Sequence, residues 1–155
     1  MRLPTQHIHV EPVLVDSDIG GTNDISKYVD MENFAAVTFQ VTLGNTFEGT
    51  VANWNAADTL DGFKLRQATA ADGSDVKDIT GAANVQAAVG AAGDQHEITV
   101  YAESLDLANG FLFVAAYVSE AGNTGTDIVQ IIAIRHGARY KHDALGGVDS
   151  RVVTP

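Results

Sequence analysis

The 155-residue chain contains no cysteine. That absence excludes a disulfide scaffold, a thiolate zinc site and a cysteine nucleophile. No apolar run approaches the ~20 residues that a membrane-spanning helix needs. The opening segment, Met1-Arg2-Leu3-Pro4-Thr5-Gln6-His7, lacks the apolar centre of a signal peptide, so the expectation is a protein made in the cytosol. Catalytic signatures are missing too: there is no G-x-S-x-G elbow, no G-x-x-x-x-G-K-[ST] phosphate loop, no H-E-x-x-H and no EF-hand spacing. Basic residues are few, 9 Lys and Arg against 20 Asp and Glu, for a net charge of −11. From Arg135 onward Arg135, Arg139, Lys141 and Arg151 outnumber Asp143 and Asp149, a net of +2, which leaves −13 on residues 1–134. Phosphate neutralisation needs a basic face, so neither nucleic acid nor an anionic membrane is an expected partner. The basic tail suits an acidic surface, such as that of a neighbouring copy.

What is present is globular. Hydrophobic residues make up 45% and charged residues 19%, and the length fits one domain. A chain of this mass buries about two-thirds of its extended surface on folding, enough for a core without covalent staples. Period-2 alternation marks strands at residues 37–43 (Val37, Phe39, Val41 and Leu43 on one side; Thr38, Gln40 and Thr42 on the other), 63–68 and 98–102. Residues 111–118 and 128–134 are apolar on both faces, as expected of strands between two layers. Gly122-Asn123-Thr124-Gly125 between them predicts a hairpin. Asp72-Gly73-Ser74-Asp75 and Asn109-Gly110 predict turns. Residues 49–54 form a short candidate strand, residues 76–79 are too short to assign, and the Ala-rich run 82–92 fits either a short helix or a loop.

Short strands with Gly, Asn and Asp turns, and almost no amphipathic helix, predict an all-β fold: an antiparallel β-sandwich or jelly-roll-like barrel with extended N- and C-terminal arms. The expected organisation is an arm over residues 1–27, a β-sandwich domain over 28–135 and a tail over 136–155. The arm carries Pro4 and Pro12 and the aperiodic apolar residues Ile8, Val10, Val13, Leu14 and Val15. An isolated arm has little of its own domain to bury them against, so they are candidate interface residues. In the tail, Tyr140 flanked by Arg139 and Lys141 is a typical interface combination.

Other groups bear weaker chemistry. His7-x-His9 on a strand would put two imidazoles on one face, where they could share a metal ion, although a third ligand is missing. Asp16, Asp18 and Asp24 crowd one loop around Gly20-Gly21; this is a Ca²⁺ candidate or, more plainly, a solvated turn. Asp72 and Asp75 have the same two readings. His136, Arg139, His142 and Asp143 lie near Ser150, but closeness in sequence is not triad geometry. Phe47 and Trp54 flank a loop, where an aromatic can stack on a sugar or anchor a core. No catalytic, cofactor or metal residue is assigned from the sequence.

Several spaced motifs form a pattern. They are Tyr28-Val29-Asp30-Met31-Glu32-Asn33-Phe34 before a strand, Leu65-Arg66-Gln67-Ala68-Thr69-Ala70-Ala71-Asp72-Gly73, and Leu105-Asp106-Leu107-Ala108-Asn109-Gly110-Phe111 followed by a closing strand before Gly137-Ala138-Arg139-Tyr140. Over residues 28–140 the chain resembles small structural proteins from the head-gene region of tailed bacteriophages, and looks like their head decoration (cement) proteins. The resemblance implies a non-enzymatic β-rich virion protein without cofactors, made in the host cytoplasm. It implies a homotrimer that binds the phage major capsid protein on the outer capsid surface. Alternative readings are a tail or head–tail connector component, and a host-surface or glycan-binding β-sandwich.

Overall fold

The computed structural model describes residues 8–19, 22–44, 59–84, 93–121 and 128–137. Their strands are β1 (His9–Asp18), β2 (Asn23–Ile25), β3 (Val29–Asp30), β4 (Ala36–Leu43), β5 (Thr59–Ala68), β6 (Lys77–Asn84), β7 (Gln95–Tyr101), β8 (Phe113–Ala121) and β9 (Ile128–His136). One sheet, sheet A, has the order β1-β9-β4-β7. The other, sheet B, has the order β2-β8-β5-β6, with β3 also paired to β8. Every ladder is antiparallel. Among the described residues no ladder joins the two sheets, so the architecture is an open sandwich and not a closed barrel.

Alternation explains why the sheets face each other. On β4, Val37, Phe39, Val41 and Leu43 are fully buried, as are Ile131 and Ala133 on β9. They meet Phe63 and Leu65 of β5 and Val114, Ala116 and Val118 of β8 in one core. Hydrophobic burial at about 25 cal/mol per Å² of apolar surface is the main force holding the layers together. The strands expected at 37–43, 63–68, 98–102, 111–118 and 128–134 are all present with shifted ends. One of them stops early, because Ala102 begins a 3-10 turn (Ala102–Ser104) instead of ending β7.

The pairings nest. β1 pairs with β9, β2 and β3 with β8, β4 with β7, and β5 with β6. The chain thus runs as one long antiparallel hairpin folded over on itself, and the β4–β9 and β5–β8 ladders stitch the fold shut. The tip lies between β5 and β6. There, as the sequence predicts, Asp72 Oδ1 accepts from the Ser74 N–H at 3.0 Å and from Ser74 Oγ at 2.7 Å. Gly73 has φ +84°, and a Cβ added there would sit 2.9 Å from the Tyr28 ring. Glycine is required on both counts.

Three expectations change. First, β8 and β9 are not a hairpin; they lie in different sheets. Gly-Asn turn chemistry reports that the chain reverses, but not whether it reverses within a sheet or across the sandwich. Second, much of residues 1–27 is not an arm. Residues 9–18 and 23–25 are strands of the domain's own sheets. The alternation was hidden because the β1–β9 register shifts between Pro12 and Leu14 and again between Leu14 and Ser17, and each bulge moves later side chains to the other face. Third, residues 77–79 belong to the eight-residue strand β6, which also takes in 82–84 of the Ala-rich run and so removes the helix reading there. Residues 85–92 and the candidate strand at 49–54 lie outside the described residues.

Candidate interface on the outer face of sheet A

The outward side chains of sheet A form rows that cross all four strands. One row is Val10, Ile134, Thr38 and Thr99; the next is Pro12, Ile132, Gln40 and Glu97. The two halves of each row differ in chemistry. On the β4–β7 side the groups are polar and tied together: Thr38 Oγ1 lies 2.8 Å from Thr99 Oγ1 and 3.1 Å from His136 Nε2, and Gln40 Nε2 donates to Gln95 Oε1 at 3.2 Å and to Glu97 Oε1 at 2.7 Å. On the β1–β9 side they are apolar. Ile8 is 52% exposed and Val10 53%, Pro12 is exposed, and Ile132 and Ile134 are half-buried.

This apolar half continues around the sheet edge. Val15 is 58% exposed. Pro12, Val13, Leu14, Val15, Ile25 and Lys27 line a groove of about 290 Å³ between β1 and β2. A contiguous apolar surface rimmed by polar groups is the physical signature of a contact surface.

The interface residues chosen from the sequence divide. Ile8, Val10 and Val15 are exposed, as that reading requires. Val13 is 3% exposed and lies in the domain's own core, and Leu14 packs against that core. Val13 continues the inward parity of His9 and Glu11, and the first bulge puts Leu14 on the same side, so Val13 is buried without any partner subunit. Arg139, Tyr140 and Lys141 lie outside the described residues. Sequence reasoning missed Ile132 and Ile134. The signal was there: β9 is apolar at both parities. It was assigned to burial between two layers, and no described residue forms a layer over its outer side.

The inner end of the β1–β9 pair holds a polar cluster, with His9 and Arg135 as register partners. Arg135 is 7% exposed. Its Nη2 lies 2.7 Å from both Glu11 Oε1 and His9 Nδ1, and its Nη1 donates to the Asp30 carbonyl at 3.0 Å. Its guanidinium carbon sits 4.5 Å from the centroid of the Phe34 ring. Burial, then the Arg135 charge, pushes the His9 imidazole below its usual range, and Glu11 opposes them. Neutral His9 therefore accepts from Arg135 through Nδ1. The cluster plugs the sandwich end with a paired cation. With Nδ1 engaged and the ring turned inward, His9 does not present the shared face that the His7-x-His9 pairing required; His7 lies outside the described residues.

The remaining candidates have local roles. Asp24 accepts from Ser17 Oγ and, at 2.7 Å, from the Ile25 N–H, which pins the β1–β2 corner. Asp18 is exposed, and the Asp16 side chain is outside the described residues. Among the described residues no three His, Asp or Glu side chains cluster with metal-binding geometry. Phe47, Trp54, His142, Asp143 and Ser150 also lie outside the described residues. No helix among the described residues is long and apolar enough to cross a membrane. No protein-family model matches the chain, and no curated protein matches it.

Proposed function

We propose that the chain is a non-enzymatic virion structural protein: a decoration protein that self-associates, as a trimer, and binds the outer surface of the major capsid lattice of a tailed-phage head. The observation that carries this reading is the apolar strip Ile8, Val10, Pro12, Ile132 and Ile134 on the outer side of sheet A, over which no described residue forms a layer. Leaving such a strip in water costs about 25 cal/mol per Å² of apolar surface relative to burial. A stable protein contact needs more than ~1,000 Å² in total, and the strip with its adjoining groove offers a core for one.

The strand order supports the same reading. If β2 and β3 count as one broken strand, the two four-stranded sheets and their nested pairs have the order of a jelly roll, an architecture common among viral capsid and lectin domains. Fold alone does not fix function. The segments that carry the phage-protein resemblance have structural roles here. Met31 and Phe34 are buried. Gln67 Oε1 accepts from the Asp106 N–H at 2.9 Å and joins two of the motifs. Residues before β1 and beyond Gly137 act as arms in this reading. The glycan alternative would use an exposed aromatic: Tyr101 is 58% exposed, while the Tyr117 ring is approached by Lys64 at 5.1 Å and Arg66 at 5.6 Å. A cryo-electron-microscopy map of the particle carrying this chain tests the proposal. Trimers on the outer head surface are expected, and density in the tail or connector would refute the decoration role.

A further inference from the structure

A sandwich has four sheet edges, and edge strands invite pairing unless something blunts them. Three of the edges here are blunted. β1 carries Pro12 and two register shifts, and its Val13 carbonyl accepts from the Lys27 N–H at 3.0 Å. β2 has three residues. β6 loses register opposite Lys64 and Arg66 and bends at Gly81, φ +80°. β7 has none of these devices. Its seven residues stay in unbroken register with β4, from Ala36 opposite Tyr101 to Thr42 opposite Gln95. The Leu43 N–H donates to the Asp94 carbonyl and the Ala102 N–H to the Ala35 carbonyl. By antiparallel alternation the even-numbered residues of β7 bond to β4, so Gln95, Glu97, Thr99 and Tyr101 turn their N–H and C=O groups to the open side. The edge is acidic: Glu97 and Glu103 are exposed beside it, and β4 and β7 carry no Lys or Arg.

The chain leaves the described residues close to this edge. The His136 carbonyl accepts from the Ala35 N–H at 3.0 Å, and the Ala35 carbonyl accepts from the Ala102 N–H at 2.8 Å, so the end of β9 is tied to the Tyr101 end of β7. Gly137 has φ +63°, and a Cβ there would meet the Ala35 Cβ at 2.9 Å. The exit is therefore fixed in place and direction. Residues 138–155 follow, with Arg139, Lys141 and Arg151 against Asp143 and Asp149. At ~3.3 Å per residue they can span up to about 60 Å, well beyond the roughly 23 Å of a seven-residue edge.

We infer that the segment 138–155 of one copy adds as a strand along the β7 edge of a second copy. Main-chain hydrogen bonds to Gln95, Glu97, Thr99 and Tyr101 supply affinity, and Arg139 and Lys141 meet the acidic edge. The contact is head-to-tail, because tail and edge are different surfaces, and such contacts form a ring where the rotation between copies closes and an open filament where it does not. This inference rests on the self-associating reading above and names the surface that receives the tail.

Two full-length variants test it by sedimentation velocity. Thr99→Pro removes one outward donor and the Thr38–Thr99 hydroxyl contact while leaving the main-chain bonds to β4. Arg139→Glu/Lys141→Glu leaves the edge intact and reverses the tail charge. Each alone is expected to associate at least tenfold more weakly than the parent. A 1:1 mixture is expected to associate more strongly than either variant alone, since one variant keeps a good tail and the other a good edge. If Thr99→Pro lowers the melting temperature, Glu97→Lys takes its place with the backbone untouched. Variants that assemble like the parent would overturn the tail inference and leave self-association through the apolar face standing. A parent that stays monomeric at all concentrations would overturn both.

Discussion

Arg135→Met is the most informative single change to the fold. The Arg135 side chain is 8% exposed, and its guanidinium joins Glu11 and His9 of β1 and the Asp30 carbonyl of β3. Methionine keeps most of the volume against Phe34 but supplies no donor. Removing one partner of a buried ion pair typically costs about 3–5 kcal/mol, because the other charge stays buried. Here Glu11 is 34% exposed and rehydrates in part, so the expected loss is about 2–3 kcal/mol. For a domain of this size that is a fall of roughly 5–10 °C in melting temperature by calorimetry. The pH dependence adds a second reading. The folded-state pKa of His9 lies below its unfolded value, through burial and then the Arg135 charge. The unfolded chain therefore binds more protons, so stability is full above about pH 6.5 and falls as pH drops below it. Arg135→Met removes the charge and leaves the burial, so this acid sensitivity shrinks. Arg135→Lys keeps a charge without the planar fork and should recover less than half the loss. An Arg135→Met chain that melts within a degree of the parent, with the same pH profile, would show that the guanidinium does not hold β1 to the sandwich end.

Other outcomes follow from the same geometry. Phe39→Ala and Ile131→Ala, both at 0% exposure, should each cost roughly 2–5 kcal/mol in denaturant unfolding, through lost burial and the cavity left behind. Gly73→Ala should cost about 1–3 kcal/mol, because alanine is strained at φ +84° and its Cβ would strike Tyr28. The Asp78 carboxyl is held below the usual carboxylate range, chiefly by the hydrogen bond from Lys64, with the charges of Lys64 and Arg66 adding to it against the opposing desolvation. Its contribution is present above about pH 4 and is lost as pH falls below that. Asp78→Asn should flatten that part of the acid limb in pH-dependent melting.

Three of the strands were legible from alternation and two from their apolar length. β4 shows the alternation best: Val37, Phe39, Val41 and Leu43 are all at 0% exposure. β1 was not legible as a strand, because two bulges within ten residues break the period that identifies strands. Sheet membership was not legible at all. Residues 122–125 look like a hairpin turn, yet β8 and β9 pair with different partners. Half of the candidate interface was visible, since Ile8, Val10 and Val15 stand out as apolar residues in a polar segment. Ile132 and Ile134 were hidden in a run where every residue reads as core. Arg135 was counted as tail charge, although it is the inward-facing end of the β9 alternation after Val129, Ile131 and Ala133.

In the proposed function the apolar outer face of β1 and β9 is a contact surface. Sedimentation velocity of the full-length parent and of Val10→Lys over a wide concentration range tests it most directly. Val10 is 53% exposed on an edge strand, where lysine is well tolerated, so folding should be unaffected. The parent is expected to self-associate, and the Val10→Lys chain to associate at least tenfold more weakly with an unchanged melting temperature. Identical association of the two chains, or a parent monomeric throughout, would contradict it.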